Sequence, residues 1–290
     1  MKSTLNSSIL MKKKKKGADW LALLPLLIFS IGFQIIPIIS LVCSSFTTKQ
    51  GISLNNFRRA FTPHIMDAFR NSIQLSLVTA FLGVSLGLIV AYAIISTHKK
   101  IVRDTLIALA NVTTNFGGAP LAFAFIVTLG STGVITIILK SVGIFLYPNF
   151  RIYSISGLAI AYLYFQLPLM IMLILPALQG LKKEWWEAAI NLGANSLHFW
   201  MRIGLPILAP SLMSSFFILF ANSFGAYATA WTLTGPDVNI VTVQIASLIR
   251  GEVQLEIGLA DALAVVSLFI ILFCTGGYLL LSHKAKRIRT

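Results

Sequence analysis

Six long apolar stretches constrain this chain more than anything else in it. They fall at about 20–45, 72–95, 105–129, 156–178, 205–231 and 257–281. A helix needs about 20 mostly apolar residues to cross roughly 30 Å of hydrocarbon. Each stretch is long enough, and the polar intervals between them leave no room for a folded soluble domain. Only 11% of the 290 residues are charged and 57% are hydrophobic, against roughly 25% charged in a soluble globular domain. The fold class read from this pattern is all-α: a polytopic membrane protein of six transmembrane helices.

The net charge of +14 raises the question of a nucleic-acid partner. The basic residues, however, stand in short runs beside apolar segments, without base-stacking aromatics between them, so no nucleic-acid partner is expected. Lysine and arginine are retained on the cytoplasmic side of a membrane. With the N terminus inside, Lys2, Lys12 to Lys16, Lys99, Lys100, Arg103, Lys182, Lys183, Arg202, Lys284, Lys286, Arg287 and Arg289 all lie inside. The outer set is Lys49, Arg58, Arg59, Arg70, Lys140, Arg151 and Arg250. The boundaries are therefore a basic cytoplasmic tail at 1–19, one transmembrane domain at 20–281 and a second basic cytoplasmic tail at 282–290. The apolar run after the lysines is too long for a cleaved signal's h-region and reads as an uncleaved span. Met11, directly before the lysines, is a second candidate start.

The polar interval at about 182–206 has its own pattern: Glu187-Ala188-Ala189, three residues, Gly193, nine residues, Ile203-Gly204-Leu205-Pro206. Good helix formers from Lys182 to Leu192 carry Leu181, Trp185, Ala188, Ala189 and Leu192 as an apolar stripe at helical spacing. Gly193 can end that helix in the left-handed conformation. A second short helix is expected at 196–202, with Pro206 in the first turn of the next span. Trp185, Trp186 and Trp200 suit a membrane–water boundary.

The pattern E-A-A-x3-G-x9-I-x-L-P resembles the cytoplasmic coupling loop of permease subunits of bacterial type I ABC importers, the binding-protein-dependent transport family, with all seven letters at the family spacing. The resemblance spans most of the chain. It implies that Glu187, Ala188, Ala189, Gly193, Ile203, Leu205 and Pro206 form a knob seated on an ATPase subunit. It further implies ABC ATP-binding subunits, a second permease (identical or homologous) and an extracytoplasmic solute-binding protein as partners, in the bacterial cell membrane. Segments 115–125 and 220–227 look like the branch importing polyamines, aminoethylphosphonate and related small solutes; ferric iron and sugars stay open.

Other motifs weigh less. Gly83-Val84-Ser85-Leu86-Gly87 matches the G-x-S-x-G nucleophile elbow, which needs a strand-to-helix turn and His and Asp partners. In mid-span it reads instead as G-x-x-x-G, small residues that let two membrane helices approach. The chain has no G-x-x-x-x-G-K-[ST] phosphate loop, no H-E-x-x-H and no C-x-x-C. No enzymatic activity, cofactor or metal is therefore expected, and ATP hydrolysis would reside on partner subunits. Cys43 and Cys274 read as packing residues, and His64, His98, His198 and His283 are scattered.

The candidate translocation path comprises polar residues on apolar helices: Asn111, Thr114 and Asn115, with Thr113 beside them, then Gln166, Asn222, Ser223 and Tyr227. Each can equally hydrogen-bond between helices. Glu256 and Asp261 sit near the outer end of the last span. Both suit an interfacial position, with Asp261 added to the path as a possible receiver of a cationic solute. Pro120 is expected to kink the third span, and segments 133–145 and 241–250 to lie at the outer surface. Two rival classes remain open at this point: an ion-gradient-driven secondary transporter, and a non-transport scaffold.

Overall fold

The computed structural model describes residues 23–48, 51–251 and 255–289; the basic tail at 1–19 lies outside them. The described chain runs α1 (Leu24–Ser45), a two-stranded antiparallel ribbon of β1 (Thr47–Thr48) and β2 (Gly51–Ile52), α2 (Asn55–Ala60), α3 (Pro63–Ser96), α4 (Lys100–Thr114), α5 (Gly118–Leu129) and α6 (Val134–Ser141). It continues with α7 (Ile155–Gln179), α8 (Lys183–Asn191), α9 (Ser196–Phe224), α10 (Tyr227–Thr234), α11 (Val241–Arg250) and α12 (Ile257–Arg289). Six segments are long and apolar enough to cross a membrane: α1, α3, α5 with α6, α7, α9, and Ile257–Leu281 of α12.

Two expected spans are broken helices. The third was expected as one kinked helix over 105–129. In the structure α4 ends at Thr114 and α5 starts afresh at Gly118, so Pro120 lies in the first turn of a new helix. An N–H there has no intrahelical partner to lose, so proline fits without a kink. The fifth stretch, 205–231, likewise breaks at Gly225-Ala226 between α9 and α10. Segment 241–250 is the separate short helix α11, which packs on α3 and α12 with Val241 and Val243 buried, while Ile249 and Arg250 are exposed.

The centre of the bundle is α3 against α7, with α9 against both α3 and α12, and α1 against α12. The glycine pair permits the central contact. A Cβ on Gly87 would lie 2.6 Å from Met170 Cγ, and one on Gly83 would lie 2.8 Å from Leu219 Cδ2. The small-residue reading of 83–87 therefore holds, and α7 and α9 occupy the space side chains would fill. α1 buries almost nothing within this chain: Phe33, Leu26 and Ile28 all face outward.

Proline shapes two of the helices in the same way. In α1 the N–H of Ile36 reaches back five residues to Ile31 O, and Pro37 follows. In α9 the N–H of Leu205 reaches Trp200 O, and Pro206 follows. A proline ring in a regular turn collides with the carbonyl four residues back; widening the turn to a π-turn removes that collision.

Candidate functional site: a braced knob and a cleft at two helix breaks

The knob is α8, a glycine turn and the first turns of α9. Gly193 has φ +80°, a conformation costly for any residue with a Cβ. Its N–H donates to Ile190 O (2.8 Å), and the N–H of Ala194 donates to Ala189 O (2.9 Å). Those two bonds are the Schellman closure, which satisfies carbonyls left over at a helix end. Asn195 then caps the next helix, its Oδ1 accepting from the His198 N–H at 2.8 Å. The second short helix was expected to be separate, with Pro206 opening the following span. Instead it is continuous with the span, from Ser196 to Phe224, and Pro206 sits inside, just past the π-turn.

Aromatic rings brace the knob. Trp186 meets Phe199 edge-to-face at 4.8 Å and so locks α8 to α9, while Trp200 meets Tyr92 at 4.9 Å and ties the knob to the end of α3. Such pairs contribute about 0.5–1.5 kcal/mol beyond their buried area. Of the expected stripe, Ala189 is buried, Leu181 and Trp185 are half-buried, and Ala188 and Leu192 face out. Leu192 is 88% exposed, Leu197 66% and Ile190 50%, so the knob presents an apolar tip. Glu187 lies beside it, paired with Lys183 at 3.1 Å. Ile203 is half-buried; Gly193, Leu205 and Pro206 are exposed.

The path residues separate into two groups. Thr114, Asn115, Asn222 and Tyr227 line an open cleft of about 560 Å³, with Gly117, Gly118, Phe165, Gly225, Ala226, Ala228 and Thr229. This cleft is where the two helix breaks face each other. The irregular backbone there is tied down: Tyr162 donates to Ala226 O (2.6 Å), and Thr229 donates to Gly118 O (3.3 Å). Non-helical backbone at membrane depth is tolerated where it is buried or lines a cavity. The first turns of α5 and α10 have no side-chain cap, so backbone donors are available at its wall.

Gln166 and Ser223 do not line the cleft. Both are buried, and with Thr79 they form a chain across three helices. Gln166 Nε2 donates to Thr79 Oγ1 at 2.8 Å, and Thr79 Oγ1 and Ser223 Oγ are 3.0 Å apart. These are the interhelical hydrogen bonds that the sequence left open as an alternative. Asn111 lies one turn from the cleft, its carbonyl accepting from Asn115 Nδ2 at 3.1 Å. Asp261 is half-buried in α12, outside the cleft lining. Glu256 is accounted for by an ion pair with Arg59 of α2. Thr79, Tyr162 and Thr229 were missed by the sequence reading; a hydroxyl in an apolar run was their only mark. The cysteines are free thiols, and the described residues hold no cluster of His, Cys, Asp or Glu suited to a metal.

Solved structures share this architecture. The chain superposes on a bacterial ABC transporter involved in import of the acidic polysaccharide alginate with a TM-score of 0.74 at 19% identity, over 93% of this chain and 96% of that one. The fold is that of a type I ABC importer permease. A second structure, the MetNI methionine ABC transporter in an inward-facing conformation, matches this permease fold at TM-score 0.53 and 12% identity, over 79% of this chain and 99% of that one. No family model matches the chain. Among curated proteins, it is 26% identical over 224 residues to the spermidine/putrescine transport system permease protein PotB of Haemophilus influenzae, covering 74% of this chain and 78% of that protein. It is 25% identical over 211 residues to a probable sulfate transport system permease protein, cysT, of a Helicosporidium species, covering 71% and 73%.

Proposed function

We propose that this chain is the membrane-spanning subunit of an ATP-driven importer in a bacterial cell membrane, with both termini in the cytoplasm. In this reading the cleft at the paired helix breaks lies on the path of a small polar solute of the polyamine or aminoalkylphosphonate kind. The knob seats on an ATP-binding subunit through Ile190, Leu192 and Leu197, with Glu187 and Ala188 at the edge of the contact. The partners are two ATP-binding subunits, a second permease chain and an extracytoplasmic solute-binding protein. ATP hydrolysis takes place on the partners.

The observation that carries this reading is the knob: a polar-interval element, braced to α3 and α9 by aromatic contacts, whose apolar tip none of the described residues covers. A braced knob transmits a push, because Trp186, Phe199, Trp200 and Tyr92 join it to two spans without slack. The names of the curated relatives support transport of a small charged solute. The test is uptake into proteoliposomes containing this chain with its co-encoded ATP-binding and solute-binding proteins. Uptake that requires ATP and all the subunits is expected; uptake driven by an ion gradient in their absence would overturn the proposal.

A further inference from the structure

The knob has two stems: α7 enters it at Gln179, and α9 leaves it at Ser196. Far from the knob the same two helices meet again. Tyr162 of α7 donates its hydroxyl to Ala226 O at 2.6 Å, and Ala226 follows the end of α9 at the break that lines the cleft. At 1.5 Å per residue, Tyr162 stands about 26 Å along α7 from Gln179. The hydrogen bond therefore closes a ring that runs from the knob through α7, Tyr162, Ala226 and α9 back to the knob. Tyr162 is fully buried and does not line the cleft itself, but it stands behind two residues that do. Its hydroxyl holds Ala226, and its ring lies 5.4 Å from that of Phe165. Thr229 of α10 carries the tie onward by donating to Gly118 O, where α5 begins. Among the described residues, these two are the side-chain hydrogen bonds that reach the backbone of a helix break from another element.

By itself α7 is a compliant stem. Pro168 and Pro176 lie inside it, between Tyr162 and the knob, and each removes a backbone hydrogen bond. A shift of α7 imposed at the knob fades along such a helix unless its far part is tied to a neighbour. Gln166, Thr79 and Ser223 also bridge α7 and α9. That chain, however, runs through α3 and joins side chains, so it leaves the broken backbone free. A bond from a hydroxyl to a carbonyl at the break moves the backbone itself.

We infer that Tyr162 is the positioning residue that makes the cleft follow the knob: its bond to Ala226 moves the start of α10 with α7, and Thr229 passes that movement to the start of α5. This rests on the importer reading above and names the contact through which the ATP-driven step reaches the cleft.

The test follows one thiol in the cleft. Ala228, exposed in the lining, is replaced by Ala228→Cys in a chain that also carries Cys43→Ser and Cys274→Ala. The chain is assembled in nanodiscs with its co-encoded ATP-binding subunits and binding protein. Modification of the thiol by N-ethylmaleimide is timed without nucleotide and after trapping with ATP and vanadate. With Tyr162 in place, trapping should change the rate about fivefold or more, the lower end of ordinary coupling between two sites, and in Tyr162→Phe the two rates should agree within about twofold. Thr79→Val also removes buried hydrogen bonds but spares the Tyr162 contact, so it should keep the full response. Thr229→Val should reduce the response and Thr229→Ser retain it. An undiminished response in Tyr162→Phe, or an equal loss in Thr79→Val, would overturn the inference. If Tyr162→Phe does not co-purify with its partners, the Thr229 pair decides, and equal responses in its two variants would overturn the inference. No response to trapping with Tyr162 in place would instead overturn the importer reading of the cleft.

Discussion

Gly87→Ala adds one methyl group at the tightest point of the bundle. The new Cβ would lie 2.6 Å from Met170 Cγ and 2.7 Å from Met170 Cβ, where carbon atoms ordinarily sit about 3.5–4.0 Å apart. Met170 is fully buried, and its Cβ is fixed to the α7 backbone, so a change of rotamer relieves only part of the overlap. The helices α3 and α7 must separate by about 1 Å. Overpacking of this kind costs about 1–3 kcal/mol, while replacing glycine by alanine inside a helix returns up to about 1 kcal/mol. The net loss is then about 1 kcal/mol for alanine and larger for valine. In a chain of this size a loss of 1 kcal/mol lowers the melting temperature by roughly 2–4 °C. Two further glycines set the scale. At Gly83 the nearest atom is the end of the Leu219 side chain, which can move, and at Gly32 an added Cβ meets nothing within 4 Å. Thermal unfolding in mild detergent should rank the alanine variants Gly87 lowest, Gly83 intermediate and Gly32 near wild type. A Gly87→Ala protein that melts at or above wild type would refute the close-packing argument.

Three other outcomes follow from the same geometry. Thr79→Val keeps the shape but removes the hub between Gln166 and Ser223; polar contacts between membrane helices average about 0.6 kcal/mol each and reach about 1.7, so unfolding in detergent should show a loss of about 1–2 kcal/mol. Pro206→Ala restores an N–H and lets the π-turn close to a regular turn, rotating the knob by roughly 100° against the span; melting should be unchanged or raised while solute-stimulated ATP hydrolysis falls. Asp261→Asn should leave solute uptake unchanged, because Asp261 does not line the cleft, and a selective loss of cationic solutes would point instead to a solute contact at the head of α12.

What could be read from the sequence is what local rules control. Span number follows from length and hydropathy, and Gly193 is legible because a helix end of this kind needs a left-handed residue. The helix breaks were hidden because a run that is apolar on every side carries no periodic signal when it stops and restarts. In hindsight Gly117-Gly118-Ala119-Pro120 has the composition of a helix start, with flexible residues and then proline in the first turn, and was read as a kink only because the apolar run continued across it. Pro206 was misplaced for a similar reason: proline just inside a helix start and proline after a π-turn look alike in sequence. Thr79 and Tyr162 act through partners 87 and 64 residues away, Gln166 and Ala226, so their roles arise only once the helices pack.

Coupling through the knob is the central claim, and Gly193→Pro addresses it most directly. Proline fixes φ near −65° where the chain needs +80°, and it removes the N–H that closes the turn on Ile190 O. The measurement is solute-stimulated ATP hydrolysis by the reconstituted complex, with assembly checked separately by co-purification. A complex that assembles but no longer raises its ATP hydrolysis when solute and binding protein are added is the predicted result. Stimulation equal to wild type in an assembled Gly193→Pro complex would contradict it.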